Sequence, residues 1–93
     1  EIKASKAESL QDFMRYGRRE EDKAEYLLKE ERLIGLKLRT LRLEEASFLQ
    51  SDELANLQAL YLVENDFSQL TLPESLQKLR YLNLADNKKT CFF

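Results

Sequence analysis

Leucines recur along the second half of the chain at a spacing of three and then two. Leu57, Leu60 and Leu62 precede Asn65, and the same order returns twenty-two residues later as Leu79, Leu82, Leu84 and Asn87. A further leucine leads each copy from three residues upstream, Leu54 and Leu76. Residues two apart in an extended strand share a face, so Leu60 and Leu62 point one way while Ala59, Tyr61 and Val63 point the other. Leu57 turns inward from just before the strand. The asparagine ends it, because its amide both donates and accepts and tolerates the bend where backbone groups leave the ladder. One copy cannot bury its leucines alone, so the pattern requires stacked copies.

The front of the chain has a different period. Ser5-Lys6-Ala7-Glu8 fits a capping box, Ala7, Leu10, Phe13 and Met14 follow at helical spacing, and Gly17 is a suitable stop. This predicts a helix over Lys6 to Tyr16. From Arg18 to Arg32 charge dominates, with one narrow apolar stripe of Ala24, Leu27 and Leu28 and a Glu25–Lys29 pair four apart, which predicts a second, surface helix. Two such helices suit the open end of a stack, where leucines and a strand edge would otherwise meet water.

Two frames compete for the first copy, Leu33-x-x-Leu36-x-Leu38 and Leu38-x-x-Leu41-x-Leu43. The second sends Phe48 to the place Phe67 holds in the next copy, five residues after the third leucine, and is preferred on that ground. It puts Ala46 where later copies have asparagine, makes the first unit nineteen residues long and leaves 33–37 as a joining bend. Between the copies, Ser51 or Asp52 suits the cap of one helical turn, and Pro73 suits a turn before Glu74-Ser75-Leu76. Phe67, Leu70, Leu72 and Leu76 are expected to reach the core from this return side. No return segment follows Asn87, so further repeats are expected beyond Phe93, in preference to Phe92 and Phe93 folding over the last strand as a lid.

Two copies of L-x-x-L-x-L-x-x-N at this period resemble the leucine-rich repeat. The resemblance covers Leu38 to Asn87, a little over half of the chain. It implies an α/β leucine-rich-repeat solenoid with a parallel β-sheet on the concave face. Capping logic adds an N-terminal helical cap, giving 1–37 as cap and 38–93 as about three repeats, the last incomplete. Proteins with this repeat mostly bind other proteins through the concave sheet, so the resemblance implies a non-catalytic protein–protein interaction module.

Composition narrows the chemistry. Fifteen basic and seventeen acidic residues leave a net charge of −2 on 93 residues, against a general affinity for nucleic acid or anionic lipid. No apolar run is long enough to span a membrane. With no histidine and one cysteine, Cys91, the sequence offers no zinc site, internal disulfide or activated nucleophile. Its two glycines, Gly17 and Gly35, cannot build a phosphate-cradling loop in the usual way. No enzyme activity, metal or cofactor is therefore expected. Extracellular members of the repeat class commonly carry cysteine-rich caps, so their absence points to the cytoplasm.

In the preferred frame, equivalent positions form columns across the sheet. Arg42, Tyr61 and Asn83 make one column and Thr40, Ala59 and Tyr81 its neighbour. Arg39, Gln58 and Arg80 lie at the strand starts, and Glu45, Glu64 and Asp86 form an acidic margin at the ends. Tyrosine and arginine carry much of the energy at protein interfaces, which makes Arg42, Tyr61, Arg80 and Tyr81 the candidate anchors. The stacked carboxylates would favour a partner with a basic segment. On this reading Tyr61→Ala weakens partner binding and leaves melting nearly unchanged. Two other readings stand beside it: a sensing or autoinhibitory segment of a larger enzyme or receptor, such as a GTPase, kinase or immune-type switch, and a structural module that self-associates through its last strand edge.

Overall fold

Residues 2–15 and 23–88, with the backbone of Cys91–Phe92, are described by a computed structural model. The chain runs through β1 (Lys3–Ala4), α1 (Leu10–Phe13), β2 (Ala24–Lys29) and β3 (Arg32–Leu38), then two 3-10 turns at Ser47–Gln50 and Asp52–Leu54. It continues as β4 (Ala59–Tyr61), β5 (Gln69–Leu70), β6 (Tyr81–Asn83) and β7 (Cys91–Phe92). Five strands form a mixed sheet in the order β1-β2-β3-β4-β6, and β5 pairs with β7 separately. Strands β3, β4 and β6 are mutually parallel, while β2 runs antiparallel to β3.

The second expected helix is replaced, over its described part, by a hairpin. Ala24, Tyr26 and Leu28 stand opposite Leu38, Leu36 and Leu33, while Glu25 and Leu27 stand opposite Lys37 and Gly35. Ala24, Leu27 and Leu28 satisfy a helical stripe equally well, but the strand gives Tyr26 an apolar neighbour across the ladder and pairs Glu25 with Lys37 in place of Lys29. The register slips between Leu27 and Leu28, so that Ile34 is an extra residue bulged out of the ladder. The bulge sends Leu33 to one face with Leu36 and Ile34 to the other, where it packs with Phe13 and Leu27.

The first helix shrinks to the single turn of α1. Its cap is Ser9, whose Oγ accepts from the Asp12 backbone N–H at 3.0 Å. Ser5 is used otherwise: its backbone N–H extends the β1–β2 pairing to the Tyr26 carbonyl at 2.8 Å, and its Oγ accepts from the Ala7 N–H at 3.1 Å. The expected Gly17 stop lies outside the described residues. The helical cap of 1–37 is thus, where described, a short strand, one helical turn and a hairpin.

The other frame holds for the first copy. Leu36 is in register with Leu60 and Leu82, and Lys37 with Tyr61 and Asn83. A strand through Leu38, Leu41 and Leu43 is blocked by the backbone, because Thr40 and Arg42 take left-handed φ values of 57° and 59°. Leu43, rather than Phe48, is then the counterpart of Phe67, and Leu41 stands where later copies have asparagine.

The two asparagines tie each copy to the one before it. Asn65 is buried, its Oδ1 accepting from the N–H groups of Leu41 at 3.0 Å and Leu43 at 3.2 Å. Its Nδ2 donates to the carbonyls of Leu38 at 2.7 Å and Leu62 at 3.1 Å. Asn87 repeats this one copy later: Oδ1 accepts from the Phe67 N–H at 3.1 Å, and Nδ2 donates to Leu62 at 3.0 Å and Leu84 at 2.9 Å. These bonds satisfy turn backbone groups that lie beyond the strand ladder. Below the sheet, Leu36, Leu38, Leu60 and Leu62 pack with Leu49 and Phe67 from the return segments. Ser51 caps the turn at Asp52–Leu54, its Oγ accepting from the Glu53 N–H at 3.2 Å.

Candidate interaction surface

The face of the sheet opposite the leucine core carries two columns, Gly35–Ala59–Tyr81 and Lys37–Tyr61–Asn83. Over β3 and β4 this face is closed by the chain itself. Helix α1 lays Phe13 against Gly35 so tightly that a Cβ there would sit 2.9 Å from Phe13 Cε2 and 3.1 Å from Leu27 Cβ. A glycine inside a strand often marks such an approach, and here it makes room for an aromatic ring.

Lys37 lies beside this contact, buried, with its Nζ 5.0 Å from the Phe13 ring centroid and 5.0 Å from that of Tyr61. Glu25, directly opposite on β2, supplies the counter-charge at 3.4 Å. A buried ammonium is costly unless it is paired, and two ring faces and a carboxylate surround this one. Tyr61 is fully buried in consequence. The expectation that its loss would spare stability is therefore corrected: Tyr61→Ala opens a core-sized void, which costs about 3–5 kcal/mol for a large buried aromatic.

On the third strand the same face is more open. Tyr81 is half-buried and Arg80 exposed, with the guanidinium carbon 5.7 Å from the centroid of the Tyr81 ring. These two predicted anchors are brought together. Arg42 is not among them: it is exposed, four residues past Leu38, where β3 ends.

The strand ends differ from the expected margin as well. Thr40, Glu64 and Asp86 occupy equivalent left-handed positions, with φ of 57°, 61° and 60°. Thr40 thus takes the place foreseen for Glu45. Glu64 is compensated, since its Oε1 lies 3.6 Å from the Arg39 guanidinium and accepts from the Thr40 hydroxyl at 3.1 Å. Glu45 instead accepts from the Ser47 backbone N–H at 2.8 Å. That backbone bond, helped by the Ser47 hydroxyl, holds its carboxyl below the usual value. The three carboxylates do not form one column.

Lys37, Glu25 and Phe13 were not foreseen as parts of this face. Gly35 inside the run Leu33-x-x-Leu36-x-Leu38 was the available signal, because it favours the frame that makes Lys37 the neighbour of Tyr61. Among the described residues no group of three or more His, Cys, Asp or Glu is placed to hold a metal ion, and no helix is long and apolar enough to cross a membrane.

Among known proteins, the chain is 60% identical over 83 residues to a Roc-COR-CHAT protease from an unknown prokaryotic organism. The matched stretch covers 89% of this chain and 8% of that protein. The chain therefore resembles a small segment of a much larger multidomain protein. No family model matches it, and no solved structure does.

Proposed function

We propose that the chain is a leucine-rich-repeat segment, without catalytic chemistry of its own, that serves a larger GTPase-type protein of the Roc-COR kind as a sensing or autoinhibitory part. The observation that carries this reading is the self-covered face. The side of β3 and β4 that a partner-binding repeat sheet leaves open holds Phe13, so the segment already has an internal occupant there. The free remainder is the third strand, where Arg80 and Tyr81 stand together beside Asn83. The asparagine bonds from copy to copy support the repeat assignment, and the similarity to a Roc-COR-CHAT protease supports the larger context. A cytoplasmic setting and a protein partner follow from this reading.

The test is a graft. This chain replaces its 60% identical counterpart in the Roc-COR-CHAT protease, and GTP hydrolysis and peptide cleavage are compared with and without Arg80→Glu. The expected result is a change of several-fold in one of the two activities, with unchanged melting of the isolated segment, because Arg80 is exposed. Identical activities, together with identical activities after deletion of the whole segment, would remove the regulatory reading.

One observation favours self-association as a second reading. Leu82 is 43% exposed on the outer strand β6, although its register partners Leu36 and Leu60 are buried. Solution mass across a concentration series decides it: a monomer throughout excludes it, and a dimer lost on Leu82→Lys supports it.

A further inference from the structure

We infer that the hairpin carries a second docking surface, on the face opposite α1, shaped for a cationic amphipathic helix of a partner protein. Ile2, Tyr26, Leu28, Leu33 and Leu36 form the apolar floor of an open groove of about 630 Å³, bounded on its far side by the turn at Asp52–Leu54 and by Asn56. Ile2 is 48% exposed and Leu28 53%, two of the four large apolar side chains left exposed among the described residues. The register explains the stripe. Tyr26 and Leu28 stand opposite Leu36 and Leu33, so all four point to the leucine-core side, where among the described residues the core packs against Ala24, Leu33 and Leu36 and leaves Leu28 exposed.

The rim identifies the occupant. Among the described residues, Glu31, Asp52 and Glu53 line the groove with one cation, Arg32, Lys78 reaches its edge by donating from Nζ to Asn56 Oδ1 at 2.8 Å, and none of the three carboxylates makes an ion pair. Their positions are held by backbone: Glu31 sits at φ 67° in the two-residue hairpin turn, and Asp52 and Glu53 open a turn capped by Ser51. An apolar stripe alone would accept many partners. Flanking carboxylates select a helix whose apolar residues recur at three and four and whose neighbours are lysine or arginine, and they disfavour an acidic one through like-charge repulsion. This surface lies on the other side of the sheet from α1 and does not rest on the reading above.

The experiment titrates the isotope-labelled chain with a helix-forming peptide of roughly five turns made of leucine and lysine, and with the same pattern made of leucine and glutamate. The lysine peptide is expected to shift the amides of Tyr26, Leu28, Leu33, Asp52 and Asn56 saturably, and to bind about tenfold or more tightly than the glutamate peptide. Leu28→Gln and the pair Asp52→Asn with Glu53→Gln should each weaken it by about tenfold, with native-like spectra because these side chains are exposed. Glu44→Gln, at an exposed carboxylate outside the groove, should leave it unchanged. Absence of saturable binding, equal binding of both peptides, or indifference to Leu28→Gln would overturn the inference.

Discussion

The second and third copies of the leucine motif share their pattern and differ in their surroundings. Leu60 is completely buried, while Leu82, its register partner one strand over, is 43% exposed. Tyr61 is buried beneath Lys37, and Asn83, next in its column, is only half-buried. The motif decides which way a side chain points; the neighbours on either side decide what that direction is worth. A strand between two others gains full burial from the same residues that leave an edge strand partly wet.

Breaking both copies at one position shows the difference most strongly. Leu60→Ala should cost about 3–5 kcal/mol and Leu82→Ala less than about 1 kcal/mol, read from urea midpoints at constant slope. Equal losses would mean that the third strand is covered in solution. The asparagines come next. Asn65→Ala leaves the Leu41 and Leu43 N–H groups and the Leu38 carbonyl without their side-chain partner, for about 3 kcal/mol, whereas half-buried Asn87 should cost about 1 kcal/mol.

How far the sequence carried these distinctions depends on the range of the interaction. The strands β4 and β6 and the role of the asparagines were legible, because Leu57 to Asn65 and Leu79 to Asn87 repeat one local geometry. The match of Phe48 to Phe67 favours the wrong frame for the first copy, and Gly35 is no local corrective, because its meaning depends on a ring arriving from residue 13. The hairpin is hidden locally because three apolar residues at 24, 27 and 28 fit a helix stripe, and the competing partner for Glu25 is Lys37, twelve residues away. Of the candidate site, the pairing of Arg80 with Tyr81 follows from the motif. The burial of Tyr61 does not, since its cover comes from outside the repeat.

Smaller effects sharpen the comparison at the strand ends. A β-branched residue in the left-handed region is strained, so Thr40→Asn should raise stability by about 0.5–1 kcal/mol, while Asp86→Asn, at the matching position of the third copy, should change little. The expected gain is net of the lost Thr40 hydroxyl bond to Glu64. The smallest effect concerns Glu45. Its carboxyl is held below the usual value in the folded chain, so its bond to Ser47 stabilises above the ordinary carboxylate pKa and is lost as pH falls through the lowered folded value. Glu45→Gln should flatten the fall in urea midpoint on acidification through that window, slightly and in that direction only.

The chain covers its own sheet with α1. Nuclear Overhauser contacts of the Phe13 ring test it most directly. Contacts are expected from that ring to the Gly35 α-protons and the Lys37 side chain, with the Gly35 α-protons displaced by the ring current. A Phe13 ring that contacts neither residue, together with a Tyr61 ring accessible to a soluble paramagnetic probe, would contradict it.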